Sequence, residues 1–490
     1  LQLIDLLDGE RTDVMEGSSY NDAGITGLTC DSRKVAPGFL FAAIPGTGDD
    51  GRRYIDEALA RGAAAVLSMP PVDENIKVPV VLDNSPRHRY AMMAARFFAK
   101  QPDTICAVTG TNGKTSVVSF ARQMWTVLGH PAASLGTLGL SAHGPDRDIE
   151  HDFGLTTPDP ADLHESLAEL SNAGIDKLAM EASSQGLSQH RLDGVRVSMA
   201  VFTNLTPEHL DYHGGMDGYL AAKRRLFEEI LKDDGTAILN ADDETFAALQ
   251  ATANARGLRV ISYGHKGVDV RLDDIFPTPD GQRLGLTVDE KSYEVDLNLP
   301  GAFQADNAMC ALALMLADGA DVERAVQALE SLEGVAGRMQ RVARLGNGAA
   351  VYLDYAHTPD ALKNILLALG PHVERRLIVV FGCGGERDVG KRPEMGRIAS
   401  EMADIIYVTD DNPRSEDAAA IRRQILDRCD GAVEIADRRD AISAAVAELQ
   451  PGDVLVVAGK GHETGQIVGD TVHPFNDAEE ILSAISEAEA

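Results

Sequence analysis

The chain predicts an α/β protein of three domains: a small α/β N-terminal domain, a central doubly wound sheet with a phosphate loop, and a C-terminal Rossmann-like sheet. Three observations predict it. Short apolar runs of strand type alternate with stretches of helical periodicity, the pattern of mostly parallel sheets covered by helices. Nearly every such run ends in polar residues, and in open α/β sheets ligands bind beyond the carboxyl ends of the strands. One run leads through a glycine-rich turn into a helix. The expected boundaries are 1–98, 99–335 and 336–490, and 490 residues suffice for each domain to bury a core.

In the first stretch, Phe39–Ile44 reads as a strand closed by Pro45-Gly46-Thr47-Gly48. A helix follows around Asp56–Ala60, then strands at Ala63–Leu67 and Pro79–Leu82 and a helix through Ala91–Phe98. The second stretch opens near Gln101-Pro102-Asp103. Its strands at 175–180, 197–202 and 236–240 lead into Glu181-Ala182-Ser183-Ser184, Thr203-Asn204-Leu205 and Ala241-Asp242-Asp243. From about 258 to 300 the pattern is β-like, and Ala302–Leu316 returns to helix. Gly334–Arg338 reads as a hinge. In the third stretch, strands at 350–353, 377–381, 405–408 and 454–457 end in Asp354-Tyr355-Ala356-His357, Gly382-Cys383-Gly384-Gly385, Thr409-Asp410-Asp411-Asn412 and Ala458-Gly459-Lys460-Gly461-His462-Glu463.

Bulk properties exclude several classes. The net charge of −31 opposes non-specific binding to nucleic acid or to an anionic membrane. No apolar run reaches the roughly 18 residues of a membrane span, and no leader pattern is read at the start. The five cysteines are scattered without CxxC spacing, which points to a reducing cytoplasm and away from disulfides or a zinc site.

The glycine-rich turn is Gly110-Thr111-Asn112-Gly113-Lys114-Thr115-Ser116, after the apolar run Ile105–Val108 and before Val117, Val118, Phe120, Ala121, Met124, Val127 and Leu128 at helical spacing. Glycines let backbone N–H groups approach phosphates, the helix start and Lys114 add positive charge, and Thr115 can hold Mg²⁺. The longer standard motif has a glycine where Val108 stands. Judged by position alone, Glu181 is a solvated strand-end carboxylate, His209 a capping histidine and Lys223 an exposed helix lysine.

The full set of motifs is more specific than the loop. Gly110–Thr115, Glu181-Ala182-Ser183-Ser184, Asn204-Leu205, His209-Leu210-Asp211-Tyr212-His213, Asn307, Gly337-Arg338 and Asp354-Tyr355-Ala356-His357-Thr358-Pro359 together resemble the Mur ligases, in family order across all three stretches. These ligases use ATP to add amino acids to the peptidoglycan precursor, and their shorter GxxGK[ST] loop accounts for Val108. Asp411-Asn412-Pro413-Arg414 resembles the signature of the members that add meso-2,6-diaminopimelate to UDP-N-acetylmuramoyl-L-alanyl-D-glutamate.

The resemblance implies a cytoplasmic enzyme, expected to be a monomer, that needs ATP and Mg²⁺ and forms an acyl phosphate. It implies roles for the three stretches: UDP binding, ATP binding and amino-acid binding. Thr115, Glu181 and His209 would serve Mg²⁺ and a carbamylated Lys223 a second Mg²⁺, with Lys114 on the moving phosphoryl group. Asn307, Arg338, Asp354 and His357 would meet the nucleoside side of ATP. Ser32 with Thr47, Gly48 and Asp49 would hold the uridine diphosphate; Thr156, Thr157, Ser183, Gln189 and Arg191 the sugar and peptide. Relatives often carry Asn where Leu155 precedes the threonine pair. Arg387, Asp411, Asn412, Pro413, Arg414, Gly459 and Glu463 would hold the acceptor, with Arg414 on its distal carboxylate. An open and a closed state pivoting at Gly334–Arg338 is expected. Rival readings are a phosphate-loop kinase or ATPase, a nucleotide-binding regulator without turnover, a lysine-adding relative, and a folate polyglutamate-type ligase.

Overall fold

The computed structural model describes residues 1–7, 13–14, 23–46, 49–73, 75–144, 147–278 and 281–489. Packing divides the chain into two units. The first is Leu1–Val270 with Cys310–Asp321, and the second is Arg271–Met309 with Val322–Ala490. Residues 1–98 thus lie inside the first unit, and the β-rich stretch after Val270 falls with the second.

In the first unit a small sheet runs in the order Asp13–Val14, Val80–Leu82, Ala65–Ser68, Phe39–Ala43, Gly27–Thr29, parallel except for its two-residue edge. Both faces are covered, one by Leu3, Leu6, Tyr90 and Met93 and the other by Ile55 and Ala58, so the strands read as unbroken apolar runs. The larger sheet of this unit has the order Arg259–Gly264, Thr236–Asn240, Met199–Phe202, Thr104–Thr109, Lys177–Glu181, Ala132–Gly136, Gly139–His143, Asp148–His151. Its first six strands are parallel, and the last two add an antiparallel edge that periodicity did not reveal. Thr104–Thr109 lies between two parallel neighbours, so its carboxyl end opens where both flanking strands also end. The helix Lys114–Val127 that follows buries Val117, Phe120, Met124 and Trp125, whose Nε1 donates to Asp318 at 2.9 Å. Val127, expected on the apolar face, is 53% exposed at the helix end.

In the second unit, the antiparallel strands Gly281–Val288 and Lys291–Leu297 precede the start of the helix Ala302–Ala317, whose residues up to Met309 belong to this unit. The other sheet runs in the order Gln340–Arg344, Ala350–Asp354, Val454–Ala458, Leu377–Phe381, Ile405–Val408, Val433–Glu434, parallel except for its first strand. The last long strand in sequence, Val454–Ala458, is inserted between Ala350–Asp354 and Leu377–Phe381. That reversal of strand order is a switch point, where the following loops diverge and leave a crevice. Its polar strand ends are therefore gathered in one place. A separate hairpin, Gly465–Val468 with Thr471–Pro474, stands beside it. Among the described residues no helix is long and apolar enough to cross a membrane.

Candidate active site

The glycine turn can exist only with glycine at its first position. Gly110 has φ of +143°, and a Cβ there would lie 1.9 Å from Thr203 Oγ1. Gly113, at φ +87°, begins the helix. The strand end Thr203–Thr206 braces the turn. Thr203 Oγ1 donates to the Asn112 carbonyl at 2.6 Å, Asn204 Oδ1 accepts from Asn112 N at 2.9 Å, and Thr111 Oγ1 accepts from Thr206 N at 3.0 Å. Lys114 Nζ donates to the carbonyls of Gly110 and Thr111, at 3.0 and 2.6 Å.

A second cation meets the same turn. Lys223, on the helix Met216–Arg225, is 1% exposed, donates to the Gly110 carbonyl at 2.6 Å and lies 4.4 Å from the Tyr219 ring centroid. It is not the exposed helix lysine that its position suggested. Burial and the nearby Lys114 charge hold its amine well below the usual lysine range. Glu181 is likewise not solvated. It is 1% exposed and ends the strand that pairs with the loop's own strand, in register with Val108. Its carboxylate accepts from Thr137 N at 2.9 Å and Thr137 Oγ1 at 3.3 Å, and among the described residues it has no cationic partner. A buried carboxylate so placed, with the Thr115 hydroxyl at the helix start, is a hard-oxygen donor set that fits Mg²⁺. His209 begins the short helix Leu210–His213 with a left-handed backbone but makes no capping hydrogen bond, and its side chain is about half exposed.

Next to Glu181 lies a polar cluster. Thr157 Oγ1 and Ser183 Oγ are 3.0 Å apart, and Ser183 caps the helix Ser184–Ser188. Thr156 Oγ1 is 3.1 Å from Thr137 Oγ1. Arg191 donates to the Thr157 carbonyl at 2.7 Å and to Gln189 Oε1 at 2.8 Å, and burial lowers its guanidinium pKa. In the N-terminal sheet region, Ser32 is buried and donates to Glu57 at 2.9 Å, while Asp49 pairs with Arg53 and Tyr54. Thr47 and Gly48 lie outside the described residues.

In the second unit, the strand ends at the switch point carry most of the remaining groups, and Asn307 lies on the helix Ala302–Ala317. The Asp354 carboxylate accepts from Met339 N and Ala356 N, at 2.6 and 2.7 Å. Burial raises its pKa and the Arg338 charge opposes the rise. Arg338 sits 4.8 Å from the Tyr355 ring centroid. His357 accepts no charge easily: burial lowers its pKa, and its Nδ1 lies 2.9 Å from the Tyr355 carbonyl. Asn307 is buried and donates to Gln304 at 3.2 Å. The segment Asp411–Arg414 turns sharply, with Arg414 at φ +52°. Arg414 Nη1 donates to the Gly385 carbonyl at 2.8 Å, while its backbone N–H donates to Ile467 at 3.1 Å. Gly385 must be glycine, since a Cβ would meet the Pro413 carbonyl at 2.0 Å. Asn412 donates to Glu463 at 2.8 Å, Gly459 has φ +118°, and Arg387 is exposed.

A phosphate-type turn, a buried strand-end carboxylate and an arginine-bearing crevice follow one another along the chain in motif order. The chain is 52% identical to a UDP-N-acetylmuramoyl-L-alanyl-D-glutamate–2,6-diaminopimelate ligase of Caulobacter vibrioides over 98% of its length and 99% of the relative's. It is 49% identical to the Agrobacterium fabrum protein of the same name, covering 95% of this chain and 94% of that one. The chain belongs to the Mur ligase family.

Three family profiles match this Mur ligase: the Mur ligase family catalytic domain at residues 24–98, the Mur ligase middle domain at 108–315 and the Mur ligase glutamate ligase domain at 337–461. A solved 2,6-diaminopimelate ligase of the same name aligns with a TM-score of 0.73 at 32% identity, covering 100% of this chain and 99% of that one. MurF ligase from Thermotoga maritima in complex with ADP shares the fold, at TM-score 0.64, 20% identity, and 96% and 99% coverage.

Sequence reading of this Mur ligase missed two buried cations of the crevice. Lys460, 0% exposed, sits between Asn412 and Glu463. Arg392, 1% exposed, holds Glu416 with both Nη atoms and the Gly384 carbonyl with Nη2. The lysine's place in Gly459–Glu463, after a strand, was visible; its burial was not.

Proposed function

We propose that this Mur ligase joins meso-2,6-diaminopimelate to UDP-N-acetylmuramoyl-L-alanyl-D-glutamate, with ATP cleaved to ADP and phosphate. The donor's glutamate carboxylate attacks the γ-phosphorus, ADP leaves with the electron pair of the broken P–O bond, and an acyl phosphate forms. A neutral amine of the acceptor then attacks the acyl carbon, phosphate leaves with the bond pair, the nitrogen loses one proton to phosphate or solvent, and an amide remains.

The turn Gly110–Ser116 holds the phosphates by backbone N–H groups and the helix start. Lys114 exchanges its loop carbonyls for phosphate oxygens and neutralises charge as the phosphoryl group moves. Thr115, Glu181, His209 and Lys223 as its carbamate are the proposed holders of Mg²⁺, which offsets the phosphate charge. A lysine amine must be neutral to add CO₂, and the burial that depresses the Lys223 pKa supports that state. Asn307, Arg338, Asp354 and His357 take the nucleoside. Ser32, Thr47, Gly48 and Asp49 serve the uridine diphosphate, and Thr156, Thr157, Ser183, Gln189 and Arg191 the sugar and peptide.

Arg414 carries the choice of acceptor. Diaminopimelate exceeds lysine by one carboxylate, and among the described residues only Nη1 of the Arg414 guanidinium is engaged. The rest of its planar fork suits a carboxylate. With lysine bound, the guanidinium would be desolvated without a counter-charge, which costs several kcal/mol. Arg387 takes the other carboxylate, and Asn412, Glu463 and the Gly459 carbonyl take an ammonium group. Phosphate release measured with each substrate omitted tests the reading. Release is expected only when ATP, the UDP-sugar dipeptide and diaminopimelate are all present. Release without the amino acid would indicate a kinase or ATPase instead.

A further inference from the structure

One fully buried cation in the crevice has no part in the proposal so far. Lys460 Nζ has three N–H donors and three close acceptors: Gly465 O at 2.7 Å, Asn412 Oδ1 at 2.8 Å and Glu463 Oε2 at 3.2 Å. Asp411 Oδ1 is a further 3.5 Å ion-pair partner. With its donors used and no exposed surface, the lysine reaches no ligand itself.

Its effect passes through its neighbours. Asn412 Oδ1 accepts from Lys460 and from Ile467 N at 3.0 Å, so the amide cannot turn over. The Nδ2 group is thereby aimed at Glu463 Oε2, at 2.8 Å. Glu463 Oε2 thus receives both Asn412 and Lys460, while its other oxygen belongs to a side chain that is 32% exposed. Asp411 and Glu463 both lie within ion-pair range of Lys460, while the neighbouring Arg438 pairs with both oxygens of Asp477 at 2.7 Å.

We propose that Lys460 is a positioning residue for the acceptor: it sets the Asn412 amide and the Glu463 carboxylate so that the free oxygen of Glu463 meets an ammonium group of an α-amino acid. This rests on the acceptor reading given above. The alternative is that Lys460 only staples the hairpin at Gly465 to the sheet.

Steady-state kinetics of the full chain with meso-diaminopimelate separate the two. Lys460→Met is expected to raise the acceptor KM about tenfold or more, the cost of a lost charged hydrogen bond, with the KM for ATP and for the UDP-sugar dipeptide within about twofold. Because the lysine acts through Glu463, adding Lys460→Met to Glu463→Gln should change the acceptor KM by no more than about twofold. Lys460→Arg, which keeps the cation, should hold the acceptor KM within about fivefold of wild type and stands in if Lys460→Met does not fold. An unchanged acceptor KM in Lys460→Met, multiplied effects in the double variant, or three KM values raised alike in either single variant would overturn the proposal. Wild-type enzyme that releases phosphate without diaminopimelate would instead sink the underlying reading, before any variant is made.

Discussion

In the proposed reading, single side chains decide what this enzyme accepts. Arg414 is held by its backbone in a left-handed turn and by one nitrogen on Gly385, so its guanidinium has little freedom to follow a different ligand. Replacing Arg414 with Ala should lower kcat/KM for meso-diaminopimelate about a hundredfold and raise that for lysine, since the unpaired buried charge is gone, measured with the two acceptors side by side. An unchanged ratio between acceptors would remove Arg414 from the site. Lys223 is the second case. Its burial against the Gly110 carbonyl depresses its proton affinity, so a fraction of neutral amine persists at neutral pH. Carbon-13 bicarbonate should therefore produce a carbamate resonance in the wild type that is missing from Lys223→Arg. Turnover of that variant should fall at least about a hundredfold, since a proposed holder of the cation that offsets the phosphate charge has been lost. Persistence of the resonance in the variant would assign it elsewhere.

Elements set how these side chains are aimed, and some carry their own pH dependence. The helix Pro160–Asn172 buries His164, 1% exposed, whose Nε2 donates to the Asp193 carbonyl at 3.2 Å. Burial pushes its pKa from 6.5 down to about 4. Above 6.5 the ring is neutral folded or unfolded, and it costs nothing. Below 6.5 the unfolded chain takes up the proton and the folded one does not, so stability falls as pH drops toward 4. The loss is at most about 3 kcal/mol. Denaturant midpoints at neutral and mildly acid pH should show a smaller acid loss in His164→Gln, which keeps a donor but does not titrate; an equal loss would contradict the assignment. Most strands of the parallel sheets were legible because they are buried on both faces and read as unbroken apolar runs, Leu377–Phe381 above all, whereas Gly27–Thr29, Ala132–Gly136 and the exposed Val433–Glu434 carry too little apolar pattern to be read. The edge strands Gly139–His143 and Asp148–His151 were not legible either, because a short polar edge has no such pattern.

At the scale of the whole molecule, charge works against the substrates. A net charge of −31 repels a nucleotide and a UDP-sugar at long range, so capture depends on the local cations of the turn and the crevice. Salt screens the distant repulsion more than the close contacts. Raising ionic strength from about 0.01 M to about 0.1 M, where the Debye length falls from roughly 30 to 10 Å, should therefore raise kcat/KM for the UDP-sugar dipeptide, by about twofold. A steep fall over that range would mean that attraction already dominates at a distance.

Sequence alone determined the alternation of strand and helix, the glycine turn and the motif order, because each depends on neighbours a few residues apart. It also put Arg414 forward for the acceptor, on the chemistry that its own side chain carries. Only the tertiary structure decided that Lys223, Glu181 and Lys460 are buried and which carbonyls and carboxylates face them. A charged residue in a helix or after a strand looks the same in sequence whether water or protein surrounds it. The difference lies in segments far along the chain, such as Gly110 opposite Lys223 and Asn412 opposite Lys460, that folding brings within 3 Å.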